Sequence, residues 1–497
     1  MFVPAERSPI RRSLAPIGFA LITCLAVWQC TCKPTLRTDS DYLVTLVSLY
    51  RHASPDLRPG DMALLKELAV RENLPEQYPY EMGYFEANRG SRYAYHFFLY
   101  SLINLPAFAL TRMLGGTGLF CFQITNAVMF IAANAILWFW SDPSPWRRVG
   151  FAGLASLGPA VLYIEWNGPE LMCWSLVSIA MALCAYRRYA AASFCIGLAA
   201  TQNPPLMFLG GFVVLMAWSQ GSRKQAFVSA VALSPIFVPP LYFLALFGTP
   251  NLIAKAGLSS TEYLSASRMA SMLFDLNQGL LPHVPGLVLL WLGVAAISLA
   301  RRSSALETAA MVITTLVVMA ACCTTSNWNS ACRLLMRYNI WILPWMAWTV
   351  IRLIPDTSAA RRCVYAALAL NTALFLTFTA VIIARPKAFP YTRHLPQAAV
   401  VFRYFPSLYN PEFEIFAERT LHTDGEYAGK GTVVFAAGDG TVTKTLVDPE
   451  DLHDVARQYE VSEDYAETLK KKRLKSRGLF YDSPPPNAWH RVPANEK

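Results

Sequence analysis

Apolar runs recur along the chain at residues 14–31, 94–113, 118–140, 149–164, 168–186, 190–203, 204–219, 226–248, 285–300, 306–323, 338–354 and 363–384. Most approach the roughly 20 residues that carry a helix across a bilayer. The pattern predicts an all-α polytopic membrane domain over residues 1–385. A polar tail follows over 386–497. The first run follows Arg7, Arg11 and Arg12 and leaves through Trp28-Gln29-Cys30-Thr31, without the small-residue pattern of a cleavage site. It reads as an uncleaved first helix with the N-terminus inside.

The basic residues set an orientation. Arg147/Arg148, Arg187/Arg188, Arg223/Lys224, Arg301/Arg302 and the stretch Arg352 to Arg362 sit in short connections, which the positive-inside rule places on the cytoplasmic side. Run 94–113 breaks the alternation and carries Asn104-Leu105-Pro106 at its centre, where proline removes a helical hydrogen bond. The sequence therefore predicts about eleven crossings plus one broken or re-entrant segment. The long loop 33–93, the turn Glu165 to Glu170, the loops 249–284 and 324–337, and the tail all fall outside. The expected location is the plasma (inner) membrane.

Within the tail, Gly431 to Phe435 and Thr441 to Val447 flank Gly438-Asp439-Gly440, a hairpin signal. A helix is expected over about 449–475, with the basic run Lys470 to Lys475 on a solvated face, and the tail reads as a small extracytoplasmic α+β domain. Composition agrees with the membrane reading: 54% of residues are hydrophobic and 15% charged, which excludes an ordinary soluble enzyme. The net charge of +10 comes largely from residues flanking apolar runs, so nucleic acid is not an expected partner. Most cysteines lie inside apolar runs as small hydrophobes, and Cys30/Cys32 with Cys322/Cys323/Cys332 could supply one outer pairing.

The scarce charged residues near the outer ends are the candidates for chemistry. Asp39 and Asp41, two apart beyond the first helix, can hold a divalent cation such as Mg or Mn, or one can act as a base. An N-cap role for Asp39 fits the spacing equally well. Arg89, Arg92, Tyr93, Tyr95 and His96 lead into run 94–113, and Glu170 opens another. Asp275 and Asn277 precede a proline break, and Asn327-Trp328-Asn329 precede Arg333, Arg337 and Tyr338. Arg333 and Arg337 share a helical face, where a lipid phosphate or an ordinary headgroup contact fits them alike.

Taken in order, Asp39 with Tyr42, the stretch Arg89-Gly90-Ser91-Arg92-Tyr93-Ala94-Tyr95, Pro169-Glu170, Phe274 to Pro282, Arg337-Tyr338 and Tyr409 to Phe416 resemble the bacterial GT-C membrane glycosyltransferases, of the protein mannosyltransferase and aminoarabinose transferase kind. The resemblance covers most of the chain and implies transfer of a sugar from a polyprenyl-phosphate donor, with inversion, to a lipid, glycan or protein acceptor. It implies that Asp39 is the base or charge-stabilising carboxylate. Arg337, with Arg92 or Arg333 and Tyr338, would then neutralise the leaving phosphate, while Tyr42, Tyr95, His96, Glu170, Asp275 and Asn277 bind substrate. The chain departs from the family in having Asp41 where a small residue is frequent. It also has Asn329-Ser330-Ala331-Cys332 where a Gly-rich stretch is frequent. Which aspartate acts, and whether it holds a metal, stays open on that ground. The rival readings are a transporter or flippase of a lipid-linked or anionic substrate, and a membrane assembly protein whose tail binds a partner.

Overall fold

Proline and glycine punctuate the apolar runs, and the helices start and stop at them. The computed structural model describes residues 9–31, 40–74, 83–301, 304–330, 334–384, 392–423, 431–448, 459–461, 465, 467–469, 479–485 and 488–491. In chain order these form α1 (Pro9–Thr31), α2 (Ser40–His52), α3 (Pro59–Arg71), β1 (Tyr84–Glu86), β2 (Arg92–Ala94), α4 (Leu99–Met113), α5 (Cys121–Trp140) and α6 (Pro145–Ser156). Next come α7 (Glu170–Ala185), α8 (Tyr189–Ala200), α9 (Met207–Gln220), α10 (Arg223–Ala232), α11 (Val238–Phe247) and the short α12 (Leu252–Lys255). After them stand α13 (Ala266–Phe274), the short α14 (Leu280–His283), α15 (Pro285–Ala300), α16 (Ala305–Cys322), α17 (Arg337–Leu353) and α18 (Ser358–Ala384). The tail adds α19 (Pro396–Tyr404), α20 (Phe413–Leu421) and β3 to β7 (Val433–Ala436, Val442–Val447, Tyr459–Val461, Phe480–Asp482, Trp489–Arg491).

Five stretches among the described residues are long and apolar enough to cross a membrane: Leu14–Thr31, Cys121–Trp140, Arg223–Phe247, Ala305–Cys322 and Ser358–Val381. This marks the chain as a largely helical membrane protein. The remaining apolar runs give shorter helices, Glu170–Ala185, Tyr189–Ala200, Pro204–Gln220 and Pro285–Ala300 among them. Eleven full-length crossings are therefore not what the helix lengths show. Run 149–164 illustrates why: α6 ends at Ser156, and Gly158-Pro159 restarts the chain as a 3-10 turn, Pro159–Glu165. The expected break at Pro106 does not occur, because α4 runs continuously through it for 15 residues. Asn104 Nδ2 donates back to the Tyr100 carbonyl within the same helix.

The chain divides into two units. The first comprises residues 1–264, 283–325 and 337–376, and the second comprises 265–282, 326–336 and 377–497. In the first unit, α2 is buried from Asp41 to Leu49, and its far end is fixed by Asp61 of α3. The Asp61 carboxylate accepts from Ser48 Oγ at 3.0 Å, Arg51 Nη1 at 3.1 Å, His52 Nε2 at 3.0 Å and the Arg58 amide at 2.9 Å. Burial pushes this carboxyl upward, but the bonds from His52, Arg58 and Ser48 outweigh it and hold Asp61 below its ordinary value. The antiparallel β1–β2 hairpin pairs Tyr84 with Ala94 and Glu86 with Arg92. Its aromatic face packs on α11 through Phe97, Phe243 and Phe247.

In the second unit, β3, β4 and β6 form an antiparallel sheet, so the hairpin expected around Asp439 is present. Its core joins Phe402 of α19, Phe416 of α20, Val433 and Leu446. The single helix expected over 449–475 is interrupted: Tyr459–Val461 is a strand paired with Trp489–Arg491, as its β-branched and aromatic residues favour. The basic run Lys470 to Lys475 lies outside the described residues.

Candidate functional site

Asp41, in the first turn of α2, is 2% exposed at its side chain, and His96 is 21% exposed. His96 Nδ1 stands 2.9 Å from Asp41 Oδ2. Donation from Nδ1–H to this carboxyl oxygen is the tautomer that leaves Nε2 as the acceptor nitrogen of the ring. Asp41 Oδ1 is buried with no hydrogen-bond partner among the described residues. Aromatic rings set the imidazole plane: Tyr42 stacks on His96 at 4.6 Å and 10°, and Tyr95 lies 4.1 Å away on a tilted ring. Four expected residues, Asp41, Tyr42, Tyr95 and His96, thus meet at one place.

The layer beneath this group was not legible as a site. Ser101 Oγ donates to the Tyr42 carbonyl at 2.8 Å, and Tyr100 packs edge-on against the Tyr42 ring. Tyr100 donates to Asn126 Oδ1 at 3.0 Å, and Asn126 Nδ2 donates to the Trp166 carbonyl at 2.8 Å. The available signal was Asn126 itself, a fully buried amide inside the apolar run of α5. Gly83 lets the hairpin close over the group. A Cβ there would fall 2.3 Å from the Tyr95 ring and 3.6 Å from the Asp41 Cβ, at a φ of +83°.

Glu170 is buried in the first turn of α7, directly after the turn that carries Trp166. It lies within electrostatic reach of both Tyr100 and Tyr338. At the start of α17, Arg337 Nη2 donates to the Tyr338 hydroxyl at 3.0 Å, and the guanidinium sits 4.7 Å from the Tyr338 ring centroid. A half-buried guanidinium on a buried phenol that also feels the Glu170 charge can hold an anionic group at a membrane boundary. Arg92 is exposed on β2 and lines a separate hollow of about 410 Å³ with Arg58, Lys66 and Tyr84. Asp39 and Arg333 lie outside the described residues.

Asp275 and Asn277 belong to the second unit, where they hold structure together. Asp275 Oδ1 accepts from the amides of Asn277 at 2.8 Å and Gln278 at 3.1 Å, and its Oδ2 accepts from the Tyr409 hydroxyl at 2.6 Å. Asn277 Oδ1 accepts from the Leu395 amide at 2.9 Å. Burial raises the Asp275 carboxyl, and burial together with the Asp275 charge raises the Tyr409 phenol. Two more buried carboxylates follow on α20, with a half-buried third at its N-cap: Trp328 Nε1 and Arg268 Nη2 donate to Glu414 Oε2 at 2.8 Å and 3.0 Å, Asn329 Nδ2 donates to Glu418 Oε2 at 2.9 Å, and Glu412 caps the helix through the Glu414 amide. The Tyr409 to Phe416 stretch therefore serves as the clasp of this unit.

Among the described residues no group of three or more His, Cys, Asp and Glu side chains could hold a metal ion. The Asp39 and Asp41 pair is described only at Asp41. Among the described residues Cys30, Cys322 and Cys323 form no disulfide, while Cys32 and Cys332 lie outside the described residues. Compared with protein-family models, with curated proteins and with solved structures, the chain matches none.

Proposed function

We propose that this chain is a membrane glycosyltransferase that takes a sugar from a polyprenyl phosphate and transfers it, with inversion, to a lipid, glycan or protein acceptor. The observation that carries the reading is the Asp41–His96 pair, which brings together the neighbours of two stretches in the GT-C resemblance, Asp39 with Tyr42 and Arg89 to Tyr95, at an aspartate where the chain departs from the family. Inverting transfer needs a base for the acceptor hydroxyl and a cation for the departing phosphate. Asp41 orients His96 and stabilises its protonated form, so the imidazole, or Asp39 as the resemblance implies, takes the acceptor proton. Arg337, backed by Tyr338 and with Glu170 nearby, receives the phosphate charge. The Tyr42 and Tyr95 rings offer apolar faces to the sugar.

The same reading sets the helices at about eleven crossings, counting the shorter apolar ones, with this site at the extracytoplasmic face of the plasma membrane. Arg147/Arg148 and the later basic connections are then cytoplasmic. The test is to incubate the purified protein with a panel of polyprenyl-phosphate sugars and acceptors and to follow polyprenyl phosphate. Transferase action gives its release with stoichiometric glycosylated acceptor. Movement of intact donor across a vesicle, with no release, identifies a flippase and rejects the reading.

A further inference from the structure

Arg187, Arg188 and Lys224 were read from sequence as markers of orientation, yet in the first unit they converge. All three line one cavity of about 360 Å³, formed between the start of α8 and the first turns of α10. None of the three side chains has a hydrogen bond or ion pair among the described residues; Arg187 and Arg188 bond only through their backbones. Glu307, a carboxylate whose charge reaches Tyr189 at the cavity, is already engaged by Arg352 Nε at 3.0 Å and by Gln220 Nε2 at 3.3 Å. The wall also holds Ser229, fully buried, whose Oγ has no partner among the described residues. Unneutralised cations and an unsatisfied hydroxyl around one hollow call for an anion with hydrogen-bond acceptors.

We propose that this cavity binds the phosphodiester headgroup of an anionic phospholipid. A lipid, and not a free anion, is indicated by what continues from the cavity. Lys224, Val228 and Val231 stand at i, i+4 and i+7, one face of α10, and Val228 both lines the cavity and is exposed. A headgroup on Lys224 would lay an acyl chain along Val228 and Val231, next to the 70% exposed Phe227. Arg187 adds a second sign. It closes α7 at a φ of +57°, with its amide donating to the Cys184 carbonyl at 3.0 Å. Glycine or asparagine is the usual occupant of that left-handed position, so an arginine is held there against its backbone preference. Basic pockets between membrane helices take anionic headgroups by this chemistry.

The test uses the full-length protein in detergent, with dioleoyl phosphatidylglycerol and phosphatidylcholine titrated in native mass spectrometry. Phosphatidylglycerol is expected to bind about tenfold more tightly, and Arg187→Gly, Arg188→Gln and Lys224→Gln each to weaken it about fivefold. Arg187→Gly separates binding from folding, because it relieves the left-handed strain: thermal stability in phosphatidylcholine should hold or rise while phosphatidylglycerol retention falls. Equal binding of the two lipids overturns the proposal, as does unchanged retention in all three variants. Competition by soluble glycerophosphate at the concentration where phosphatidylglycerol binds overturns it too, and assigns the cavity to a free anion.

Discussion

Asp41 Oδ2 and His96 Nδ1 lie 2.9 Å apart although 55 positions separate the residues. Removing either partner should disable the pair without unfolding the chain. Asp41→Asn and His96→Gln are each expected to lower sugar transfer by about 10² to 10⁴-fold. The double variant should be little worse than the weaker single one, because residues that act as a unit are not additive. Transfer rates for the four proteins, with circular dichroism to confirm folding, check this.

Gly83 is the position where a single methyl should disturb the site most. An added Cβ meets the Tyr95 ring at 2.3 Å, and the +83° backbone is strained for any other L residue. Gly83→Ala is expected to cost about 1–3 kcal/mol and to displace Tyr95 from His96. A shift in thermal midpoint together with lost transfer is the readout. Retained transfer would show that Tyr95 is not needed in its place.

Asp275 has a structural role with its own consequence. Tyr409→Phe removes the 2.6 Å donor to a buried carboxylate and leaves that oxygen unpaired. A loss of about 1–3 kcal/mol in the second unit is expected. Hydrogen exchange in Ala266–Phe274 and Phe413–Leu421 should speed up, while exchange in Ser40–His52 stays as it was.

How much of this the sequence disclosed follows from the range of each signal. Apolar runs, the Asp439 hairpin and the clustering of Asp41, Tyr42, Tyr95 and His96 as candidates were legible, because each rests on local pattern or on polar residues that are scarce. Helix lengths were less so. Pro106 was absorbed by a continuous helix, whereas Pro159 ended one, a difference set by neighbours that periodicity does not report. Asp275 and Asp41 look alike as lone acids beside apolar segments. Only the Tyr409 hydroxyl and the Leu395 amide, more than 100 positions away from Asp275 and Asn277, separate a clasp from a site. Arg187 and Lys224 likewise carried an orientation signal, and their common cavity depends on how α8 and α10 pack.

Glu414 predicts a pH dependence in the second unit. Burial, then the neighbouring Glu418 and Glu412 charges, push its carboxyl up from 4.5 to about 8. The folded state therefore keeps a proton that the unfolded chain releases. That stabilisation is full below pH 4.5 and is lost as pH rises through about 8. Protection of α20 against hydrogen exchange, corrected for intrinsic rate, should fall over this window in the native protein. It should stay level in Glu414→Gln, which remains neutral throughout.

The most direct measurement of the central claim is polyprenyl phosphate release from a polyprenyl-phosphate sugar by the native protein and by Asp41→Asn, purified in parallel. The account predicts release by the native protein, matched by glycosylated acceptor, and a loss of at least about a hundredfold in a folded Asp41→Asn. Release that is undiminished in Asp41→Asn, or no release by the native protein with any donor in the panel, would contradict it.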